Sequence, residues 1–156
     1  MIGITAVKPF KKRLTTRMGE VEYTNQDVFF FENGIYGFED LKGFVITPLP
    51  SENVPEFYRY FQSVEEPDLS LIIMNVVFSS KGEGIIKVKD LAVHFEKRNL
   101  KPSDVSIYLV TSIHNQDGKQ RISVNTKAPI ILCPGHQKGW QVVLDNDAYL
   151  VKHYLV

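Results

Sequence analysis

Short apolar runs alternate with turn-forming residues along almost the whole chain, and this alternation constrains the fold more than any other feature. Short runs rich in β-branched and aromatic residues, bounded by glycine, proline or acidic residues, are typical of β-strands. The predicted strands cover residues 18–23, 28–31, 43–47, 57–64, 69–78, 105–113, 119–125, 128–132, 141–144 and 149–156. Many short strands at close spacing predict a mainly β fold, in which an antiparallel sheet closes or nearly closes into a barrel.

The pattern within each run predicts which of its faces are covered. Residues 28–31 and 69–78 are apolar almost throughout, which favours strands buried on both faces, with 69–78 at the centre of the sheet. In the run 105–113, the apolar residues Val105, Ile107, Leu109 and Ile113 are predicted to share one face. Asp117-Gly118 then predicts a hairpin turn leading into the next strand.

A connector with two glycines joins the strands at 28–31 and 43–47. Gly34 and Gly37 suit backbone conformations with positive φ, which cost energy for any residue that carries a Cβ atom. Residues 29–48 are therefore predicted to form a strand, a tight connector with a short helical turn, and a second strand.

One segment has the period of a helix instead. Val88, Leu91, Ala92 and Phe95 recur at i, i+3, i+4 and i+7, which predicts a single amphipathic helix over about residues 88–98. Its apolar stripe is expected to lie on the sheet, while its charged residues, including Asp90, face away.

Length and composition fit one intracellular domain. A chain of 156 residues can bury a substantial core, and 18 basic residues balance 18 acidic ones, so no global field attracts nucleic acid or an anionic membrane. A single cysteine, Cys133, fits a reducing compartment. Because no segment has the length and hydropathy of a signal peptide or a membrane span, we expect a cytoplasmic protein without membrane association.

Basic residues cluster near the N-terminus at Lys8, Lys11, Lys12, Arg13 and Arg17. Such a cluster can contact phosphates, so an RNA-binding β-barrel protein that uses this segment is the alternative function. A solvated tail or edge strand is favoured over it, because no aromatic platform or groove-reading helix accompanies the charges. Residues 1–17 are accordingly predicted to be a basic N-terminal extension or edge strand, and residues 18–156 a single β domain.

Enzymatic and metal-binding motifs are absent from the sequence. The four histidines are scattered singly, and Cys133 with His136 lacks the two further ligands of a structural zinc site. The glycine-containing loops lack the spacing and the lysine of a phosphate-binding loop. We therefore predict no catalytic residue, no metal and no cofactor.

Acidic turns remain as candidates for recognition of another protein. Exposed carboxylates can bind a basic partner and also repel the phosphates of a competing RNA. The three acidic turns contain Glu39 with Asp40, Glu65 and Glu66 with Asp68, and Asp145 with Asp147.

Three stretches of the chain together resemble the flagellar assembly factor family FliW. They are Gly-Ile-Tyr-Gly-Phe-Glu at 34–39, Phe-Gln-Ser-Val-Glu-Glu-Pro-Asp-Leu-Ser-Leu at 61–71, and Ala-Pro-Ile-Ile-Leu at 128–132 with Gln-Val-Val-Leu-Asp at 141–145. Their order and separation resemble the family from about Met18 to the C-terminus. The family usually has proline where this chain has Tyr36, and the basic residues before Arg17 extend beyond its usual start.

The resemblance implies a non-enzymatic regulator of flagellin production. Members of the FliW family are similar in binding CsrA, a translational repressor of flagellin mRNA, and in binding flagellin itself, so that partner exchange couples flagellin translation to export. We expect this protein to be monomeric when free and not to bind nucleic acid directly. The candidate partner-binding residues are Tyr36, Phe38, Glu39, Asp40, Glu65, Glu66 and Asp68.

Overall fold

The computed structural model describes residues 11–49 and 53–155. These residues contain eleven strands and one α-helix, with short 3-10 turns at Asn25–Asp27, Pro102–Asp104 and Pro134–His136. The strands are β1 (Lys12–Thr16), β2 (Gly19–Tyr23), β3 (Phe29–Phe30), β4 (Gly43–Pro48), β5 (Tyr58–Ser63), β6 (Ser70–Asn75), β7 (Ser106–Gln116), β8 (Lys119–Val124), β9 (Ile130–Cys133), β10 (Lys138–Gln141) and β11 (His153–Tyr154), and the helix is α1 (Val88–Lys97).

Seven of the strands close into a barrel, as the spacing of the apolar runs predicts. Strands β7, β6, β5, β4, β3, β10 and β9 follow one another in the sheet, and β9 pairs back onto β7 with Ile107 opposite Ile131. All of these pairings are antiparallel except the one between β3 and β10. The mainly β, barrel-like fold class predicted from the sequence is confirmed.

The longest strand, β7, makes closure possible because two strands pair along one of its edges. Its first part pairs with β9 and its second part with β8, while β6 lies on the opposite edge. The β7–β8 hairpin turns at Asp117 and Gly118, whose φ values of 50° and 75° match the predicted Asp-Gly turn.

Aromatic rings fill the barrel interior. Phe44 and Phe61 stack with centroids 4.4 Å apart, and Phe31 meets each of them edge-on at 5.5 Å. All three side chains are fully buried, together with Ile73 and Ile130 from the facing strands. Such close packing of aromatic rings stabilises the core beyond the free energy of burying their area.

The helix α1 covers the outside of the barrel, as the period of its apolar residues predicts. Leu91 and Phe95 are buried against a second cluster that includes Met74, Leu109 and Ile131. Adjacent residues of β6, Ile73 and Met74, belong to the inner and the outer cluster respectively. The expectation of a central strand covered on both faces therefore holds at this point of β6.

Several details differ from the sequence-based expectations. The run 28–31 is not covered on both faces: only Phe29–Phe30 is a strand, and Phe30 is 50% exposed. Strand β10 occupies Lys138–Gln141 in place of 141–144, because Gln137 adopts a left-handed conformation that ends the preceding turn earlier. Ile113 is 46% exposed, since β7 has left the barrel by that residue and continues only as the hairpin with β8.

The N-terminal strands β1 and β2 form a separate antiparallel hairpin, with Leu14 opposite Val21. On β2, Val21 and Tyr23 are more buried than Glu20 and Glu22, which is the alternation of a half-buried strand. Residues 1–10, with Lys8, lie outside the described residues, so the basic extension over 1–17 stays a prediction.

Candidate functional site

The connector between β3 and β4 is a compact double turn. Gly34 and Gly37 have φ values of +63° and +89°, as the sequence predicts, and a Cβ atom on Gly34 would lie 2.6 Å from the Glu39 carbonyl oxygen. Turns replace the expected short helical turn, and the Phe38 N–H donates to the Ile35 carbonyl at 2.9 Å. Glycine at position 34 is therefore required both by its backbone conformation and by the lack of space.

The tip of the connector is fixed by a side chain that is distant in the sequence. The Gln141 Oε1 atom accepts the Tyr36 N–H at 2.8 Å, and its Nε2 atom donates to the Ala128 carbonyl at 3.0 Å. Gln141 thereby ties the connector to the start of β9. This role was missed by sequence reasoning, although Gln141 lies within one of the stretches that resemble the FliW family.

Two acidic turns meet where β4 begins. The Glu65 carboxylate accepts the N–H groups of Lys42 at 2.5 Å and Gly43 at 2.7 Å. The Lys42 Nζ atom donates to the Glu39 carbonyl at 2.6 Å and to the Glu32 carbonyl at 3.0 Å. The Glu65 carboxylate thus joins the turn 65–68 to the end of the connector, while the Lys42 ammonium fixes the connector internally.

The remaining acidic side chains of these two turns point to solvent. Glu39, Asp40, Glu66 and Asp68 are exposed, and Glu39 also accepts the Gly37 N–H at 3.1 Å. We call these four carboxylates, with Glu65 at their centre, the acidic surface. The structure therefore brings together two of the three acidic turns that the sequence singles out.

Exposed aromatic side chains lie on the same connector. Tyr36 is 59% exposed and Phe38 is 38% exposed, whereas Ile35, immediately before Tyr36, is 3% exposed and packs into the barrel core. The core end of the connector is filled by Ile35 and not by Phe38, so both aromatic rings are accessible to a partner.

The third acidic turn is not linked to the acidic surface by any hydrogen bond or ion pair among residues 11–49 and 53–155. The Asp147 carboxylate lies 3.7 Å from the Lys127 ammonium, and Asp145 lies near His94 of α1.

A cleft of about 310 Å³ separates the connector from the last turn of α1. We call it the helix cleft. The end of α1 contributes His94, Lys97 and the following Arg98, the connector contributes Tyr36, and the segment after β10 contributes Val143. The sequence signal for this cleft is the spacing of the three basic residues at i, i+3 and i+4, which places them on one side of the helix end.

The cationic groups of the helix cleft influence one another. Burial lowers the pKa of His94 and the nearby charges of Arg98 and Lys97 lower it further, against a smaller opposing effect of a hydrogen bond with the Val143 backbone. The Arg98 guanidinium donates to the His94 carbonyl at 3.0 Å and lies 5.6 Å from the centroid of the Trp140 ring. Arg98 is thus held in place by contacts on both sides.

Part of the basic N-terminal cluster is engaged with the chain itself. Arg13 forms an ion pair with Glu22 at 3.2 Å, and Arg17 donates to the backbone carbonyl of Asp68 at 2.9 Å. Arg17 therefore lies beside the acidic surface, where it would reduce the local negative charge.

Neither a metal-ion site nor a membrane-spanning helix is present in the described part of the chain. Within it, no three histidine, cysteine or acidic side chains are placed to share a metal ion. Nor is any helix there long and apolar enough to cross a bilayer. Cys133 is a buried free thiol at the end of β9.

A small antiparallel barrel, covered by one helix and carrying exposed aromatic and acidic groups on rigid turns, defines a class of β-barrel proteins suited to bind other proteins. The model of the family described as FliW protein matches residues 12–155. The chain belongs to the FliW family.

Individual relatives agree with this assignment. The flagellar assembly factor FliW of Thermoanaerobacter pseudethanolicus is 32% identical over 148 residues, covering 89% of each chain. That of Caldicellulosiruptor saccharolyticus is 36% identical over 137 residues, covering 88% of this chain and 85% of the relative. A crystal structure of a flagellar assembly factor FliW superposes with a TM-score of 0.69 at 26% identity, covering 92% of this chain and 96% of that one.

Proposed function

We propose that this protein binds the translational repressor CsrA through the acidic surface and thereby relieves repression of flagellin mRNA. We further propose that it binds flagellin as a cytoplasmic chaperone and sensor. When export lowers the cytoplasmic concentration of flagellin, the protein is freed and captures CsrA. It acts without catalysis, is monomeric when free and does not bind nucleic acid or membranes.

The observation that carries this proposal is the meeting of two acidic turns at the start of β4 in a chain of the FliW family. Glu65 is used internally, but Glu66 and Asp68 make no hydrogen bond or ion pair through their side chains with any described residue. Free carboxylates on a rigid turn can meet a basic protein surface without reorganisation, and they repel RNA phosphates that approach the same partner.

Flagellin and CsrA are then competing ligands of one protein. The fraction bound to each follows from the two affinities and the two free concentrations. A fall in free flagellin raises the fraction available to CsrA without any change in the amount of the protein itself.

Calorimetry with purified CsrA and with purified flagellin tests the proposal. We expect heat of binding with each partner, and loss of CsrA binding when Glu66→Lys and Asp68→Lys are combined. The matched control reverses two exposed acids elsewhere, Glu96→Lys and Asp104→Lys, and should bind as the parent does. Absence of binding to both partners would contradict the function, and equal affinity of the two double variants would contradict the acidic surface as the CsrA site.

A gel shift with flagellin leader RNA addresses the alternative function. The protein alone should leave the RNA unshifted at low salt. A shift that weakens steeply as salt rises would favour direct RNA binding through the basic N-terminal segment.

A further inference from the structure

The helix cleft is lined by both cationic and apolar groups. Lys97 is exposed, and its ammonium makes no hydrogen bond or ion pair with the residues that the structure describes. Arg98 is held by the His94 carbonyl and by Trp140, so its position is set before any ligand arrives. Elsewhere in the lining, Tyr36 is 59% exposed and Val143 is 42% exposed.

The single carboxylate that lines this cleft does not neutralise the cations. Glu39 accepts the N–H of Gly37, within its own turn, and forms no ion pair with Lys97 or Arg98. The end of α1 therefore presents two cationic groups to the cleft, Lys97 and Arg98, that form no ion pair with any described residue, although Asp145 lies near the neighbouring His94.

We propose that the helix cleft binds an acidic polypeptide segment of a partner protein. Carboxylates of the segment pair with Lys97 and Arg98, and an apolar side chain packs between Tyr36 and Val143. Arg98 suits this role because a guanidinium fixed by other contacts can bind a carboxylate through two parallel hydrogen bonds. The inference goes beyond the acidic surface and does not depend on CsrA binding there.

The shape and lining of the cleft favour a polypeptide over a free anion. The cleft is open to solvent and its volume of about 310 Å³ lies at the small end of ligand pockets. A small anion would use only the cationic groups and leave the exposed aromatic and aliphatic groups uncovered. A peptide segment covers both, and tyrosine and arginine are enriched among the residues that carry most of the binding energy at protein interfaces.

The intrinsic fluorescence of the protein offers a direct measurement. Trp140 is the only tryptophan in the chain, and it lies against the Arg98 guanidinium. The probe is the acetylated and amidated peptide Leu-Glu-Glu-Leu-Asp, titrated at physiological ionic strength. Its comparison peptide has Gln-Gln in place of Glu-Glu and Asn in place of Asp. We expect the acidic peptide to change the tryptophan emission and to shift the backbone amide resonances of residues 34–36, 94–98 and 141–143.

Charge variants test whether the cationic groups bind the peptide. Lys97→Glu should weaken binding of the acidic peptide about tenfold, because an attractive contact becomes a repulsive one. Lys97→Arg should retain binding. The control Lys101→Glu makes the same charge change at an exposed residue outside the cleft and should have little effect.

The proposal has defined contrary outcomes. It is overturned if neither the emission nor the cleft resonances change, if the neutral peptide binds equally well, or if Lys97→Glu and Lys101→Glu lose affinity equally. Thermal unfolding of each variant establishes that it is folded. None of these measurements involves CsrA, so their failure would leave the proposed function standing.

Discussion

The Glu65 carboxylate accepts the backbone N–H of Gly43 at 2.7 Å, and so joins the turn after β5 to the first residue of β4. The same oxygen accepts the N–H of Lys42. Gly43 is buried, so loss of this acceptor leaves a backbone donor without its partner. We expect Glu65→Ala to lower the free energy of unfolding by about 1–3 kcal/mol, measured by urea denaturation.

The neighbouring residue provides the control for this prediction. Glu66 is exposed and its carboxylate has no hydrogen-bond or ion-pair partner among the described residues, so Glu66→Ala should change the free energy of unfolding by less than about 0.5 kcal/mol. Equal stability of the two alanine variants would show that the Glu65 hydrogen bonds do not stabilise the fold.

Tyr149 links the C-terminal segment to α1. Its hydroxyl donates to the Asp90 carboxylate at 2.5 Å and accepts the Lys87 N–H at 3.1 Å. Tyr149→Phe keeps the ring but removes both hydrogen bonds, and we expect a loss of about 1–3 kcal/mol in the free energy of unfolding at neutral pH. Thermal or urea unfolding of the pair of proteins measures it. A loss below about 0.3 kcal/mol would contradict the structural role of the hydroxyl.

The stabilisation by Tyr149 should depend on pH in the alkaline range. Burial of the ring raises the pKa of Tyr149 above its ordinary value of 10.0, and the hydrogen bond to Asp90 raises it further. A group with a raised pKa in the folded state stabilises the protein below its unfolded pKa and loses that effect as the pH rises through the folded pKa. The difference in unfolding free energy between the parent and Tyr149→Phe should therefore be constant from pH 7 to 9 and decline above about pH 10. A difference that grows above pH 10 would contradict the raised pKa.

Gly139 of β10 has no room for a side chain. A Cβ atom there would lie 2.3 Å from Phe31 and 2.8 Å from Leu132, both in the barrel core. We expect Gly139→Ala to lower the free energy of unfolding by about 1–3 kcal/mol, because the aromatic cluster must shift. Gly135→Ala is the matched control, since a Cβ atom at that position meets nothing within 4 Å. Equal melting temperatures of the two variants would show that the barrel core can adjust without cost.

The sequence predicted the barrel because each short strand carries its own local signal. Apolar runs mark β4, β5, β6 and β9, and glycine marks the connector and the β7–β8 hairpin. Closure itself depends on the pairing of Ile107 with Ile131, which are distant in the sequence. Local pattern cannot specify such a pairing, but the number of strands makes it the expected solution for burying their apolar faces.

Errors occurred where tertiary contacts override local pattern. Phe30 is exposed although its neighbours on either side in the sequence are more buried, because only one face of the short β3 meets the core. Asp90 was expected to face away from the helix stripe, yet it binds the Tyr149 hydroxyl. A charged residue near a stripe can be recruited by a partner that arrives from elsewhere in the chain, and the period of the helix does not contain that information.

The candidate site was predictable in composition but not in arrangement. The acidic residues of 39–40 and 65–68 could be named from the sequence, whereas their union depends on the hydrogen bonds that Glu65 accepts from the Lys42 and Gly43 N–H groups. For the helix cleft, the local pattern signals only the basic residues at the end of α1. The connector and Gln141, which complete its lining, come next to α1 only in the folded chain.

Binding of CsrA through the acidic surface should depend on salt. Charges at the rim of an interface accelerate association, and this steering weakens as the Debye length shortens from about 10 Å at 0.1 M salt to about 3 Å at 1 M. We therefore expect the association rate constant, measured by stopped-flow or surface plasmon resonance, to fall between 50 mM and 500 mM salt. The combined Glu66→Lys and Asp68→Lys variant should associate more slowly at low salt and show a flatter salt dependence, while Glu96→Lys with Asp104→Lys should follow the parent. Salt dependence of equal slope in all three proteins would place the electrostatic contribution outside the acidic surface.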